Sequence, residues 1–367
     1  MLTRIYVDNF RCLVNFELKL DRLNLLLGEN GSGKTTVFEI LRRLQGFLSG
    51  DINADAAFPS EDLTRWQQLN VQRFELELKA DEDLYVYKLT IEHDRERRLR
   101  RIKREELRMT DGALFESTEG QVQLYHDDFS PGPQYPFDWS RSGVGSLLAR
   151  PDNKLLTRFR QQIQRMAVVR PSPMMMGSES DGEDSRLAFD ATNFASWYRH
   201  LSQEHQGKIL DLTQRLREVI PGFDSFSLRE AGEKTRVLKV LLRNAKDAKP
   251  IPYNFSELSD GQRQLIVLYS LLYGVKGEGY CLFLDEPENY VALREIQPWL
   301  TSLQDACGDS IAQAVLISHH PEITDYLAGS ASRWFHRPDN GPTRVQDALL
   351  PADGLTTSET IARGWVS

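Results

Sequence analysis

The chain of 367 residues is 40% hydrophobic and 27% charged, with a formal net charge of −8. This length allows one large or two modest domains, and the acidic balance argues against a wholly basic nucleic-acid-binding surface. No apolar run of about 18 residues is present, so we expect no membrane span, and the N-terminus lacks the apolar core of a signal peptide. The cysteines Cys12, Cys281 and Cys307 form no CxxC pair, which argues against a disulfide framework or a zinc site and favours a cytoplasmic location.

A glycine-rich segment near the N-terminus carries the strongest chemical signal. Residues 28–35 match the pattern G-x-x-x-x-G-K-[ST] at every fixed position. The apolar run at 23–27 predicts a buried strand before the loop, and apolar residues at helical spacing in 37–48 predict a helix after it. Backbone N–H groups of such a loop, placed at a helix N-terminus, bind phosphate.

Two side chains of this loop have expected roles in binding a nucleotide and its metal. Lys34 is expected to reach the β- and γ-phosphate oxygens, and the Thr35 hydroxyl is expected to ligate Mg²⁺. The loop residues that we predict to contact the nucleotide are Asn30, Gly31, Ser32, Gly33, Lys34, Thr35 and Thr36.

The middle of the chain alternates between apolar and polar residues. In residues 71–92 this period of two, with a turn near Asp81, predicts a β-hairpin, and β structure is expected to continue to about residue 124. The strongly basic stretch at 95–104 could track a nucleic-acid backbone or be a solvated hairpin edge that is protected by charge. Residues 193–220 have helical periodicity.

The pentad Leu-Ser-Asp-Gly-Gln at 258–262 precedes an apolar pattern with helical spacing. Ser259 and Gln262 have the spacing of a helix capping box, which is the purely structural interpretation of the pentad. The alternative is a functional motif, which its position about 20 residues before an acidic strand favours.

A hydrophobic strand at 281–284 ends in the carboxylates Asp285 and Glu286. The carboxyl end of a parallel strand is where α/β folds bind their ligands. Asp285 is therefore expected to hold Mg²⁺, and Glu286 is expected to orient and deprotonate the attacking water. A second such strand, at 314–317, is followed by His319, which we expect to meet a γ-phosphate.

In this order, four motifs resemble those of the ATP-binding-cassette ATPases: GENGSGKTT, LSDGQ as the signature, CLFLDEP as Walker B and SHHP as the switch-histidine segment. The opening IYVDNFRCLVNFEL and the DEPEN pentad are most similar to the RecF, SMC and OLD-like branch. This resemblance implies an α/β P-loop fold with a mixed central sheet. We expect a single ATPase head over 1–367, comprising a β/P-loop part at 1–48, an antiparallel β lobe at 71–170, a helical signature lobe at 190–275, and a Walker B and switch-histidine part at 276–335.

The resemblance also implies a mechanism that involves two chains, with ATP and Mg²⁺ as ligands. ATP would be sandwiched between two heads, so that binding forms a homodimer or higher homo-oligomer and hydrolysis releases it. The residues so implied are Lys34, Thr35, Asp285 and Glu286 of one copy and Ser259, Gly261 and Gln262 of the other.

Two further assignments depend on the family pattern. Arg11, in the N-F-R segment, is either a nucleotide ligand or a surface arginine on an edge strand. The glutamine that senses Mg²⁺ in such ATPases has no assigned position, and Gln134 is one candidate among several.

The leading functional hypothesis is an ATPase head that converts ATP and water into ADP and phosphate and regulates a separate effector protein, in anti-phage defence or genome maintenance. One alternative is a RecF-like DNA-binding repair ATPase. Another is the nucleotide-binding subunit of a membrane transporter, which the long β insertion disfavours. A third is a scaffold that binds ATP without hydrolysis, which the intact Glu286 disfavours.

Overall fold

The computed structural model describes residues 1–94, 99–244, 249–327, 331–347 and 355–363. None of the described helices combines the length and apolar character needed to cross a membrane. The described strands are β1 (Leu2–Asp8), β2 (Phe16–Lys19), β3 (Leu23–Gly28), β4 (Val71–Ala80), β5 (Asp83–Asp94), β6 (Leu99–Met109), β7 (Ala113–Thr118), β8 (Gln121–Tyr125), β9 (Pro131–Pro136), β10 (Met166–Val169), β11 (Glu179–Ser180), β12 (Phe223–Glu230), β13 (Arg236–Leu242), β14 (Ile251–Asn254), β15 (Cys281–Asp285), β16 (Gln313–Ile317), β17 (Ala331–His336) and β18 (Arg344–Asp347). The described α-helices are α1 (Lys34–Leu48), α2 (Ala54–Ala57), α3 (Gly143–Ser146), α4 (Lys154–Gln164), α5 (Phe194–Glu204), α6 (Gln206–Val219), α7 (Asp260–Gly274), α8 (Leu293–Ala306), α9 (Pro321–Leu327) and α10 (Thr357–Ala362).

The chain divides into two compact units, which are described separately. The first unit comprises Met1–Met166 and the described part of Leu327–Ser367. Its largest element is an eight-stranded antiparallel sheet in the order β2-β1-β4-β5-β6-β7-β8-β9. In the same unit β3 pairs with β17 in parallel, and β17 pairs with β18 in an antiparallel manner.

The hairpin predicted for residues 71–92 is confirmed. Strands β4 and β5 pair along their whole length, and the turn between them places Asp81 in the left-handed region with a φ of 54°. Phe74, Leu76 and Leu78 are buried, whereas alternate residues of β4 are more exposed. The period of two in the sequence therefore corresponds to one buried and one more accessible face.

Aromatic packing joins helix α1 to the antiparallel sheet. The ring of Phe58 lies between Phe47 of α1, at a centroid distance of 5.3 Å, and Phe74 of β4, at 5.0 Å. All three side chains are fully buried. Since buried aromatic residues contribute large apolar areas, this contact fixes α1, and the loop that precedes it, against the sheet.

The described part of the basic stretch, residues 99–104, lies at the start of β6 in a hairpin with β5, and the pairing of β6 with β7 begins only at Arg104. Strand β6 lies between β5 and β7. Its cations pair with neighbouring carboxylates: Arg101 lies opposite Glu92 and contacts it at 2.6 Å, and Lys103 contacts Glu92 at 3.1 Å. Residues 95–98 lie outside the described part of the chain.

A buried carboxylate organises the segment that packs against the end of α1. Glu105 is only 1% exposed and accepts hydrogen bonds from the Tyr87 hydroxyl at 3.0 Å, the Ser142 hydroxyl at 2.5 Å and the Gly143 amide at 2.8 Å. Burial raises the pKa of the Glu105 carboxyl, and these hydrogen bonds offset part of the rise. The folded protein thus holds a proton on this group at a higher pH than the unfolded chain does.

We expect the Glu105→Gln variant to lose a pH dependence of stability that the wild type has. A carboxyl whose pKa is raised by folding contributes its full stability below its ordinary value and loses that contribution as pH rises through the folded value. The free energy of unfolding of the wild type should therefore fall, relative to Glu105→Gln, by up to about 1.4 kcal/mol per pH unit above pH ~4.5. Urea unfolding between pH 4 and 8 measures this difference in the free energy of unfolding. The control is Glu119→Gln, which changes an exposed carboxylate. Parallel curves for wild type and Glu105→Gln would contradict the prediction.

The second unit, Ala167–Tyr326, contains the remaining strands and most of the longer helices. Strand β15 lies between β10 and β16, and it pairs with β16 in parallel. A separate antiparallel sheet contains β11, β13 and β12, with β14 paired to β13. The helical periodicity predicted over 193–220 is confirmed as α5 and α6, with a break at His205.

Candidate functional site

The glycine-rich loop lies between β3 and α1, as the sequence predicts. Gly28, at the end of β3, has a φ of 141°, and a Cβ there would lie 2.2 Å from the carbonyl oxygen of Phe335. Gly33, immediately before α1, has a φ of 105°, and a Cβ there would lie 2.6 Å from Oγ1 of Thr343. Both positions therefore require glycine for backbone conformation and for space.

The ammonium group of Lys34 lies inside the curve of the loop. Lys34 is 4% exposed, and its Nζ donates to the carbonyl oxygens of Gly28 at 2.7 Å and Glu29 at 2.9 Å, and to Oγ of Ser32 at 3.3 Å. A positive charge is thus held at the N-terminus of a 15-residue helix, where the helix dipole and the amide groups also favour an anion.

Residues far along the chain hold the loop in place, and no local pattern of residues predicts these contacts. The Thr343 hydroxyl donates to the carbonyl oxygen of Ser32 at 2.8 Å. Arg337 donates to the carbonyl oxygen of Gly31 at 3.3 Å, and its guanidinium lies 5.2 Å from the ring centroid of the half-exposed Trp66. Because β17 pairs with β3, the segment after β17 is brought to the end of β3 where the loop begins.

Arg11 is held by carboxylates in the first unit. It donates from Nη2 to Glu39 at 2.9 Å and from Nε to Asp62 at 2.5 Å, and Arg43 contacts the same two acids. Glu39 lies one turn after Thr35 on α1. The network therefore places Arg11 beside the helix that follows the loop, and its contact with a nucleotide remains a prediction.

In the second unit, the capping-box interpretation of the pentad at 258–262 is confirmed. Oγ of Ser259 accepts a hydrogen bond from the Gln262 amide at 3.3 Å, and the Ser259 amide donates to Oε1 of Gln262 at 3.2 Å. Ser259 is exposed, so the N-terminus of the 15-residue helix α7 faces solvent within this unit. A Cβ on Gly261 would lie 2.7 Å from the carbonyl oxygen of Tyr290, which requires glycine there.

The two carboxylates that follow the apolar strand occupy different environments. Asp285, the last residue of β15, is 1% exposed. Glu286 has a left-handed φ of 50°, which is uncommon for a residue other than glycine, and its amide donates to the carbonyl oxygen of Ile317 at 2.8 Å. Its Oε2 accepts hydrogen bonds from Nη2 of Arg170 at 2.7 Å and from Nδ2 of Asn289 at 3.0 Å.

The strand that precedes His319 is β16, the parallel neighbour of β15. His319 is exposed. Asp285 and Ile317, the last residues of their strands, lie opposite each other, so the residues that follow them, Glu286 and Ser318, leave the sheet at the same edge. The Ser318 hydroxyl donates to Oε1 of Glu288 at 2.6 Å, which links the two loops. Burial raises the pKa of the Glu288 carboxyl, and the hydrogen bond from Ser318 offsets part of that rise.

Among the residues that the structure describes, no glutamine is assigned to sensing Mg²⁺. Gln134, the named candidate, lies on β9 opposite Gln123 in the antiparallel sheet. Two strands flank β15, namely β16 on one side and β10 on the other, and Arg170 directly follows β10. Arg170 was not among the site residues predicted from the sequence. The one local indication of it is its position as the polar residue directly after the short apolar run at 166–169.

The described residues contain no cluster of three or more His, Cys, Asp or Glu side chains suited to a metal ion. The Thr35 hydroxyl and the Asp285 carboxylate are nevertheless oxygen donors, the type that Mg²⁺ prefers, and Mg²⁺ usually takes few protein ligands because phosphates and water supply the rest. The donor chemistry of these residues thus fits Mg²⁺ delivered with a nucleotide.

Comparison with known proteins gives two kinds of match. A family model described as "AAA domain, putative AbiEii toxin, Type IV TA system" matches residues 23–325. A crystal structure of an SMC head bound to the C-terminal winged-helix domain of ScpA is 11% identical, covers 98% of this chain and 99% of that one, and has a TM-score of 0.58. The SMC head domain from Thermotoga maritima is 12% identical, covers 95% and 99% of the two chains, and has a TM-score of 0.47. No curated protein matched the sequence. The first structural match shows that the chain has the P-loop fold of an SMC head, which confirms the predicted fold class.

Proposed function

We propose that this chain, which belongs to this family of AAA domains and has the fold of an SMC head, is an ATPase of the SMC and RecF-like branch. In this proposal it hydrolyses ATP, dimerises head to head on ATP and regulates a separate effector protein. The observation that carries the proposal is the loop at 28–35, where buried Lys34 and two obligatory glycines form a phosphate-binding turn at the start of α1.

We assign the steps of hydrolysis to individual side chains. Lys34 and the loop amides bind the β- and γ-phosphates, and the Thr35 hydroxyl and Asp285 hold Mg²⁺, which when bound neutralises phosphate charge. Glu286 accepts a proton from water as the water oxygen bonds to the γ-phosphorus, and the bond from that phosphorus to ADP breaks. His319 contacts the γ-phosphate.

A second copy of the chain is proposed to complete the site. The exposed N-terminus of α7 carries amides and a helix dipole that favour an anion. Ser259, Gly261 and Gln262 of the second copy would therefore bind the γ-phosphate, and ATP would be enclosed between two heads. Hydrolysis removes the anion that joins them, so the dimer would open.

Two comparisons support the proposed role in regulating an effector. The SMC head of similar fold was solved with a domain of another protein bound, which favours a protein partner for this chain also. The family description names a toxin and a TA system, which supports a regulatory or defence setting over transport. Genome maintenance and anti-phage defence both remain proposals.

Phosphate release from ATP tests the enzymatic part of this function. Purified protein with ATP and Mg²⁺ is expected to release phosphate at a rate that falls to background when EDTA removes the metal. The scaffold alternative predicts instead that ATP binds with no release above background. That second result would overturn the proposal of hydrolysis while keeping the nucleotide site.

The RecF-like alternative makes a separate prediction about DNA. We expect Arg100→Gln with Arg101→Gln to leave affinity for duplex DNA unchanged, because both side chains are already paired, Arg100 with Asp55 at 3.4 Å and Arg101 with Glu92 at 2.6 Å. Fluorescence anisotropy at several salt concentrations measures it. Weaker binding with a smaller salt dependence would favour the RecF-like alternative. Arg97 and Arg98, which belong to the same basic stretch, lie outside the described residues.

A further inference from the structure

The proposed base, Glu286, is paired with an arginine in this structure. Arg170 follows β10, the strand beside β15, and its Nη2 lies 2.7 Å from Oε2 of Glu286. The backbone around Arg170 is fixed, since its amide donates to the carbonyl oxygen of Phe189 at 2.6 Å and the Ser172 amide donates to that of Asp190 at 2.9 Å. The contact is therefore made from an anchored strand end.

This pair involves one of the two carboxylate oxygen atoms of Glu286 that could act on water. Both described hydrogen bonds to the Glu286 carboxylate, from Arg170 and from Asn289, are accepted by Oε2. A carboxylate oxygen that accepts two such bonds is poorly placed to accept a proton from a water molecule. While Arg170 is paired in this way, Oε2 of Glu286 is kept from acting as a base.

The pair is also easy to exchange for another anion. The side chains of Arg170 and Glu286 are 45% and 23% exposed, and ion pairs that accessible to solvent contribute little to stability. A guanidinium binds phosphate through two parallel hydrogen bonds, which is a stronger arrangement than the single contact seen here. A terminal phosphate close to Glu286 would therefore compete well for Arg170.

We propose that Arg170 distinguishes ATP from ADP: the γ-phosphate takes the guanidinium from Glu286, so that Oε2 keeps only the hydrogen bond from Asn289 and can accept a proton from the attacking water. This inference rests on the proposed function, in which Glu286 is the base that faces the γ-phosphate. ADP has no γ-phosphate, so with ADP the pair between Arg170 and Glu286 stays in place. Arg170 is then both a specificity-determining residue and the restraint on the base.

Isothermal titration with a non-hydrolysable ATP analogue and with ADP, both with Mg²⁺, tests the proposal. Arg170→Ala is expected to weaken the analogue about tenfold and to leave ADP unchanged, because only the γ-phosphate contact is lost. Arg170→Lys is expected to recover part of the loss, since lysine keeps the charge but not the two-bond geometry. Arg229→Ala, which removes an exposed arginine of β12 in the same unit, is the matched control and should change neither value.

A competition between Glu286 and the γ-phosphate also predicts a coupling between the two residues. Glu286→Gln removes the charge that holds Arg170, so this variant should bind the analogue several-fold more tightly than wild type, and the gain should vanish in Arg170→Ala/Glu286→Gln. An unchanged ratio of analogue to ADP affinity in Arg170→Ala would overturn the inference. If instead the wild type bound neither nucleotide, the proposed function itself would fail.

Discussion

Replacing Lys34 by alanine is expected to weaken ATP binding by at least about 100-fold. The lost ammonium is a charge-assisted donor to the phosphates, and two or more such hydrogen bonds are worth about 3 kcal/mol together. The same group bonds to the carbonyl oxygens of Gly28 and Glu29, so its removal also loosens the turn. Titration with a fluorescent ATP analogue measures the effect.

Two further variants separate loss of charge from loss of folding. Lys34→Met keeps most of the apolar stem and removes only the ammonium, so it should lose binding as fully as Lys34→Ala. Lys79→Ala removes a lysine whose side chain is 49% exposed in the same unit, and it should bind as the wild type does. Tight ATP binding by Lys34→Met, with an unaltered unfolding temperature, would contradict the assignment of this loop.

The Glu286→Gln variant is expected to bind ATP and to hydrolyse it at least about 100-fold more slowly, since general-base catalysis usually contributes 10²–10⁴-fold. Glutamine has nearly the shape of glutamate but cannot take the proton from water. Because ATP then persists, we expect the mass in solution to double when ATP and Mg²⁺ are added. Phosphate release and light scattering measure the two effects.

The control for this variant is Glu233→Gln, which changes an exposed acid of the second unit and should retain wild-type turnover. If Glu286→Gln turned over ATP at the wild-type rate, the base would be another residue. If turnover fell but the mass stayed constant with and without ATP, the head would close on a different partner, or the oligomer would exist before ATP binds.

Local patterns in the sequence predicted the local parts of this structure. The strand, loop and helix around Lys34, the capping box at Ser259 and the hairpin at 71–92 all depend on residues within about 20 positions of one another. Their periodicity and spacing reflect backbone geometry directly, so they could be predicted without knowledge of the tertiary fold.

The contacts that the sequence did not predict are long-range. Thr343 meets Ser32 across 311 positions and Arg170 meets Glu286 across 116, and no period in the sequence encodes such pairs. The basic stretch shows the same limit of local patterns. Whether a strand is central or at an edge depends on which other strands pair with it, and the composition of β6 alone does not contain that information.

The anchoring of the phosphate loop has a consequence for how this protein can be divided. The similarity to the family ends at residue 325, but Phe335, Arg337 and Thr343 all contact the loop residues 28–33. A fragment bounded at residues 23 and 325 would contain the phosphate loop and the signature, Walker B and switch-histidine motifs, and would lack all three of these contacts. The segment that matches the family is thus shorter than the segment that holds the phosphate loop in shape. A truncated protein should therefore extend at least to Thr343.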